Sequence, residues 1–275
     1  KSGIWTADQL VLINNTSNVS LDAMKPSVVL NGLESIQFNQ NRQQSNLAFF
    51  EFAKEYQNKG GKQWENPKLG IWLTGSPSES HWRTGKPAAY DFFSIRSLVE
   101  EILEYAGVDT EKNKAGEMET GPNGVFAYCY SWGKVAKAGK VADALSAAYE
   151  TKKEVWYAEI DLPALSALAG GRSSAFAEIS RFPSASRDLA IVVDESVPFH
   201  LVRQCAEKSL GKKLKGLRIF DLYRNPDQLG PGRKSFALSF TFESMDGSLS
   251  SQELDKWMDN CIRNLEKELG ATIRK

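Results

Sequence analysis

Histidine and cysteine are scarce in this chain of 275 residues. Only His81 and His200 are present, so a histidine-based metal centre or a histidine-assisted nucleophile has to rest on one of them. The three cysteines, Cys129, Cys205 and Cys261, are far apart and form no C-x-x-C pair. Neither a disulfide framework nor a zinc site fits that spacing, and a reducing compartment is expected. No apolar run approaches the roughly 18 residues of a membrane span, and no basic-then-apolar leader opens the chain. The first residue is Lys1 rather than Met, so a piece of a longer protein is expected. Net charge is missing too: 34 Lys and Arg balance 34 Asp and Glu. What is present is ordinary, since 41% hydrophobic and 25% charged residues suit a globular chain with enough apolar surface for a core. The length fits one large domain or two of ordinary size.

The zero sum hides an asymmetry. Residues 180–275 hold 16 basic and 13 acidic side chains, net +3, and residues 1–179 hold 18 and 21, net −3. Between Arg203 and Lys234, nine Lys and Arg are set against Glu207, Asp221 and Asp227. The small-residue stretch AGGRSSA (169–175) lies near the change and is read as a domain linker.

The C-terminal part reads clearly. RDLAIVVDE (187–195) alternates Leu189, Ile191 and Val193 and is a strand. Pro198 opens a helix to about Leu210, which Gly211 ends. LKGLRIFDLYR (214–224) is a second strand, and NPDQLGPGRK (225–234) is a loop. KSFALSFTFES (234–244) puts Phe236, Leu238, Phe240 and Phe242 on one face and Ser235, Ala237, Ser239 and Thr241 on the other. Such a strand has one buried face and one open or lightly covered face. Ser250 stands three residues before Glu253 as a capping box. Leu254, Trp257, Met258, Cys261, Ile262, Leu265 and Leu269 then form one apolar stripe, ended by Gly270, and ATIRK (271–275) closes as a strand. The order β-α-β-β-α-β is the split ferredoxin-like motif.

The N-terminal part is mixed. Helices are expected over Pro26 to about Arg42 and over DFFSIRSLVEEILEYAG (91–107). LAFFEFAKEY (47–56), LGIWLTG (69–75), VFAYCYSW (125–132), KVAKAGKV (134–141) and VWYAEID (155–161) read as strands, with turns at Gly133 and Gly139.

Few residues point to catalysis. Glu51, Glu55, Glu100 and Glu101 are paired with no histidine and no phosphate loop, and Glu100 and Glu101 fall on the solvent side of a helix. His81 lies in SPSESHWRTG with no G-x-S-x-G elbow, so a surface loop is the reading. Cys205 and Cys261 sit among apolar helix neighbours as core fillers. LGPGRKS (229–235) is no phosphate loop, because its glycines are one residue apart and it leads into a strand. The positive signal is a basic set: Arg181, Arg187, Lys212, Lys213, Lys215, Arg218, Arg224, Arg233 and Lys234. Phe182 and Tyr223 are aromatic neighbours suited to base stacking, although ordinary solvated charge gives the same pattern.

SRFPSASRDLAIVVDE (180–195) resembles the opening of the ferredoxin-fold anticodon-binding domain at Phe182, Pro183, Arg187, Asp188, Leu189 and Ala190. IFDLYR (219–224), GRKSFALSFTF (232–242) and SLSSQELDKWMDNCIRNLEKELGATIR (248–274) resemble its later segments in order. That domain closes the β subunit of bacterial phenylalanyl-tRNA synthetase. LDAMKPSVVLNGLESIQFNQNRQQSNLAFFEFAKEY (21–56) resembles the catalytic-like module of the same subunit at Met24, Ser27, Gly32, Asn39, Asn41, Arg42, Phe50 and Glu51. DFFSIRSLVEEIL (91–103) resembles its next helix. Lys25, Ala53 and the pair Ala142-Asp143 depart from the family pattern, where arginine, glycine and His-Pro are usual.

The resemblance implies an α+β chain. A mixed or antiparallel-sheet class II synthetase-like module, residues 1–175, is followed by a ferredoxin-like anticodon-binding domain, residues 176–275. It implies a component of phenylalanine-tRNA ligase with no catalytic site of its own, ATP and Mg2+ acting at the α subunit. The implied partners are that α subunit, tRNA(Phe) and the second αβ pair of a heterotetramer. The implied place is the cytoplasm, with no membrane contact. RNA contact is expected at Arg187, Tyr223, Arg224, Arg233 and Lys234, with Phe182 as a stacking group, while Asp188 is given a structural role because phosphate repels it. Two alternatives stay open: an amino-acid-binding regulatory module of ferredoxin-like fold, and an independent class II-like enzyme.

Overall fold

The computed structural model describes residues 4–14, 22–108, 110, 115–120, 124–169, 178, 180–245 and 247–274. Beyond Ala169 the expected linker lies outside the described residues. The chain divides into two compact units, Lys1–Ser174 and Ala175–Lys275.

The first unit is built on an antiparallel sheet of six strands in the order β1-β2-β6-β5-β4-β3. These are β1 (Leu47–Lys59), β2 (Lys62–Thr74), β3 (Ala115–Thr120), β4 (Phe126–Trp132), β5 (Ala136–Val141) and β6 (Val155–Asp161). Strands β1 and β2 form one long hairpin, turned at Gly60 and Gly61, both with positive φ. Helix α1 (Val29–Gln40) buries Val29, Leu33 and Ile36 on one face of the sheet, in a core with Trp72 and Tyr157. Helix α2 (Phe92–Tyr105) buries Ile95, Val99 and Leu103 with Leu69, Ile71 and Leu73 of β2. Asp91 caps α2 by accepting from the Ser94 N–H at 2.8 Å. Two short helices, α3 (Asp143–Ala148) and α4 (Leu162–Ala169), complete the unit.

Three expectations need correction here. Strand β2 begins seven residues earlier than expected, because the polar run from Lys62 pairs along the whole of β1. Strand β3 and helices α3 and α4 were not anticipated. Gly139 is not a turn: it lies inside β5, where an added Cβ would stand 2.0 Å from the Tyr128 carbonyl oxygen of β4.

The second unit runs β7 (Ala185–Asp194), α5 (Phe199–Leu210), β8 (Leu214–Tyr223), α6 (Pro226–Leu229), β9 (Arg233–Phe242), α7 (Ser251–Leu269) and β10 (Thr272–Ile273). Its antiparallel sheet has the order β10-β7-β9-β8. Apart from the short α6 inside the expected loop, this is the β-α-β-β-α-β order read from the sequence. The core joins Ile191, Val193, Phe236, Leu238, Phe240 and Phe242 of the sheet to Val202 of α5 and to Leu254, Cys261 and Leu265 of α7. Both long helices therefore cover one face. Ser250 and Glu253 close the capping box of α7, and Gly270 ends it in the left-handed conformation.

Candidate nucleic-acid interface

Among its described residues, the first unit's charged side chains pair with one another. Lys25 pairs with Glu51 at 2.8 Å, and Lys68 stands between Glu55 at 3.0 Å and Glu159 at 3.1 Å. Glu55 also accepts from the Val28 N–H at 3.1 Å. Glu100 takes Arg96 at 2.9 Å, one turn away on α2. These carboxylates are committed to structure. His81 sits in an exposed loop and bridges to Gly85. Burial pushes the Cys261 thiol up to about 12 and raises that of Cys205, so neither is poised as a thiolate. Among the described residues no group of His, Cys, Asp or Glu is arranged to hold a metal ion.

On the second unit the sheet has a helix-free face, and alternation decides what stands there. Residues directly opposite in an antiparallel ladder share a face. Asp188 opposes Ser239, Ala190 opposes Ala237, and Val192 opposes Ser235, so all six lie away from the helices. Arg218 joins them opposite Ser239. Strand β8 carries a register shift between Ile219 and Asp221, which leaves Phe220 as an extra residue. Before it, Leu217 and Ile219 point to the helix side, opposite Phe240 and Leu238. After it the parity is reversed: Leu222 opposes Phe236 and Tyr223 opposes Ser235. The bulge thus turns Tyr223 onto the open face. Phe220 is itself 56% exposed.

The six residues expected to touch RNA separate into two places. Tyr223, Arg224, Arg233 and Lys234 gather at one end of the sheet, around Glu195. The Tyr223 hydroxyl donates to Gln228 Oε1 at 2.8 Å and accepts from Asn225 Nδ2 at 3.1 Å. Arg224 Nε pairs with Glu195 Oε1 at 2.9 Å. Arg233 is exposed, and it helps hold the Asp194 carboxyl below its ordinary value, after the larger effects of the Ser196 hydroxyl and backbone N–H. Lys234 is only 7% exposed: its Nζ donates to the Glu195 carbonyl at 2.6 Å and lies over Phe236. Its position on the phenylalanine side of β9 makes it a strut within the domain.

Arg187 and Phe182 lie toward the other end. Arg187 is seven residues from Asp194, about 23 Å along the strand. It shares the parity of Leu189 and Ile191, and its Nε reaches Asp255 of α7 at 3.5 Å. Phe182 is half-buried, and Ser180 fastens its segment by donating to the Ser244 carbonyl at 2.6 Å. Neither residue belongs to the cluster at Glu195. Reading the sequence for basic and aromatic residues missed Arg274, whose guanidinium lies 4.5 Å from the Tyr223 ring centroid. The net result is a shallow floor of Ala190, Ala237, Ser235 and Ser239, bordered by Arg218, Tyr223, Arg274 and, at one end, Arg233. A floor of small side chains beside an aromatic ring and several guanidinium groups suits flat, anionic polymers.

Residues 180–274 match the family model described as "Ferredoxin-fold anticodon binding domain". Residues 5–162 match "Phenylalanyl tRNA synthetase beta chain CLM domain". The phenylalanine–tRNA ligase beta subunit of Bacteroides thetaiotaomicron is 30% identical over 286 residues, covering 98% of this chain and 34% of that protein. The beta subunit of Pseudomonas putida is 28% identical over 267 residues, covering 96% and 33%. The chain therefore spans about a third of the length of these relatives. Among solved structures, pyrrolysyl-tRNA synthetase from Desulfitobacterium hafniense is 16% identical with a TM-score of 0.42, covering 59% of this chain and 54% of that one, a likeness too low to carry an argument.

Proposed function

The chain belongs to the phenylalanyl-tRNA synthetase beta-chain family, and from that premise we propose that it serves phenylalanine-tRNA ligase without performing the chemistry. Residues 1–175 are the non-catalytic class II synthetase-like module, which scaffolds the α subunit. Residues 176–275 are the anticodon-binding domain, which holds the anticodon stem-loop of tRNA(Phe). ATP and Mg2+ act at the α subunit, two αβ pairs form a heterotetramer, and the assembly works in the cytoplasm.

The observation that carries the RNA reading is the open sheet face. A bulge places Tyr223 on it, and Arg218 and Arg233 flank it with exposed guanidinium groups. Tyr223 supplies a stacking surface, and the guanidinium groups supply phosphate contacts that position the strand. Arg224 takes part from the Glu195 end. Phe182 and Arg187 contribute contacts of their own, away from the Tyr223 cluster and toward the other end of the domain. Lys234 drops out of the contact set because it is buried.

The test is titration of the full-length protein carrying this chain with a labelled tRNA(Phe) anticodon stem-loop. A stem-loop with a scrambled loop and free phenylalanine serve as comparators. Preferential binding of the cognate loop, weakened by Tyr223→Ala and by Arg218→Ala, is expected. Equal binding of both loops sinks the reading. Thermal stabilisation by phenylalanine and not by RNA points instead to the amino-acid-binding module.

A further inference from the structure

On the helix-free face of the second unit, Val192, Ser235 and Ser239 are covered more than a bare sheet leaves them, and the first two share one row. Val192 is 7% exposed and Ser235 is 3% exposed. They sit in the middle of one row, Thr272–Val192–Ser235–Tyr223, that crosses all four strands. Two long side chains stand at the edges of that row. Tyr223 reaches inward from β8. Arg274 follows β10, its N–H donating to the Ala190 carbonyl at 2.9 Å, and by alternation it shares a face with Thr272. The edge strands are three spacings apart, about 14 Å, and the two long side chains meet above the row with the guanidinium carbon 4.5 Å from the ring centroid. The partners differ in freedom. The Tyr223 hydroxyl is fixed by Gln228 and Asn225, whereas the Arg274 side chain is exposed and has no ion-pair partner among the described residues.

We propose that Arg274 is a clasp on Tyr223: it covers the ring in the free protein, yields it to a base of bound RNA, and then pairs with a backbone phosphate. This inference rests on the RNA-binding reading above and makes Arg274 a positioning residue of that site. A guanidinium and a nucleobase compete for the same π face. Stacking of a base on an aromatic ring outweighs an exposed cation–π contact, so the exchange runs toward the bound state. The displaced guanidinium stays tethered beside the floor, where its planar fork suits a phosphate. Two opposed effects follow. Opening the clasp weakens binding about twofold to fivefold, the equilibrium equivalent of an exposed cation–π pair. The phosphate contact strengthens binding in a salt-dependent way.

Removing Arg274 therefore changes the sign of its effect with salt. The full-length protein carrying this chain, as wild type, Arg274→Ala and Arg274→Lys, is titrated with the labelled tRNA(Phe) anticodon stem-loop between about 50 and 500 mM salt. The Ala variant binds more weakly at low salt and about twofold to fivefold more tightly at high salt. Its slope of log affinity against log salt is shallower by about 0.7, so the two lines cross. The Lys variant keeps the wild-type slope. Without RNA, the Arg274 side-chain protons show a ring-current shift that Tyr223→Leu abolishes, and added RNA abolishes it in the wild type. Parallel lines, an Ala variant weaker at every salt, or no ring-current shift overturns the clasp while RNA binding stands. A wild type that binds no RNA at any salt overturns the RNA reading, and the clasp with it.

Discussion

Gly32 is the tightest test of how the first unit packs. It lies within α1, where alanine is ordinarily preferred over glycine by about 1 kcal/mol. Here the preference meets an obstacle. A Cβ at Gly32 would stand 2.1 Å from Trp72 Cε2 and 2.4 Å from Cδ2 and Nε1. Carbon atoms rest at about 3.5–4.0 Å, so the indole has to retreat by more than an ångström. It has no room: Trp72 is 1% exposed, its ring centroid is 5.2 Å from that of Tyr157, and its far edge fills the space beside Gly70. Overpacking of this kind costs about 1–3 kcal/mol, and a rigid aromatic wall places it at the upper end. With the helix gain subtracted, Gly32→Ala should destabilise the unit by about 2 kcal/mol. Urea unfolding followed by tryptophan fluorescence measures this as a lower midpoint at unchanged slope. In a Trp72→Leu background the clashing atoms are gone, and the same substitution should become neutral or stabilising by up to about 1 kcal/mol. A neutral effect in the wild-type background, or an equal penalty in both backgrounds, refutes the packing argument.

Further outcomes are expected. Lys68→Met leaves Glu55 and Glu159 without their shared cation and should cost about 3–5 kcal/mol in denaturant unfolding. Burial alone lowers the Lys68 pKa, but the Glu159 and Glu55 carboxylates more than offset this and hold it above 10.5. Its stabilisation is therefore complete below that ordinary value and lost as pH rises through the higher folded value, and the variant should lack this alkaline limb. Ser250→Ala removes the hydroxyl that accepts from the Glu253 N–H at 3.3 Å, and α7 should lose about 1 kcal/mol, read from the midpoint of the second unit. Deleting Phe220 removes the bulge and leaves Asp221, Leu222 and Tyr223 opposite Ala237, Phe236 and Ser235, so the regular ladder still carries Tyr223 on the open face. Stem-loop affinity should stay within about twofold of wild type with helical circular dichroism retained, and a loss of about tenfold in a folded variant would contradict the register assigned to Tyr223.

The second unit was the more legible because its elements are regular and self-contained. The stripe from Leu254 to Leu269, its Ser250 cap and its Gly270 stop are local features, and each stands as read. In the first unit, the polar start of β2 becomes a strand only because β1 lies beside it, and a pattern confined to one segment does not show its neighbour. The candidate site divides along the same line. Lys234 falls in step with Phe236 and Leu238, and Arg187 with Leu189 and Ile191, so alternation already placed both on the helix side. A list of basic residues overlooked it. Tyr223 is the opposite case. Strict alternation through Leu217 and Ile219 sends it into the core, and only the extra residue at Phe220, visible in the pairing with β9, brings it out. Arg274 depends on the sheet order, which sets the chain's end and Tyr223 on opposite edges of one face. The excess positive charge of the C-terminal residues is thus a poor guide to the site when counted and a good one when sorted by face. Lys234 is tied down inside the domain, and Arg187 stands away from this face beside Asp255. Arg218, Arg233 and Arg274 stand beside a floor of serine and alanine next to Tyr223.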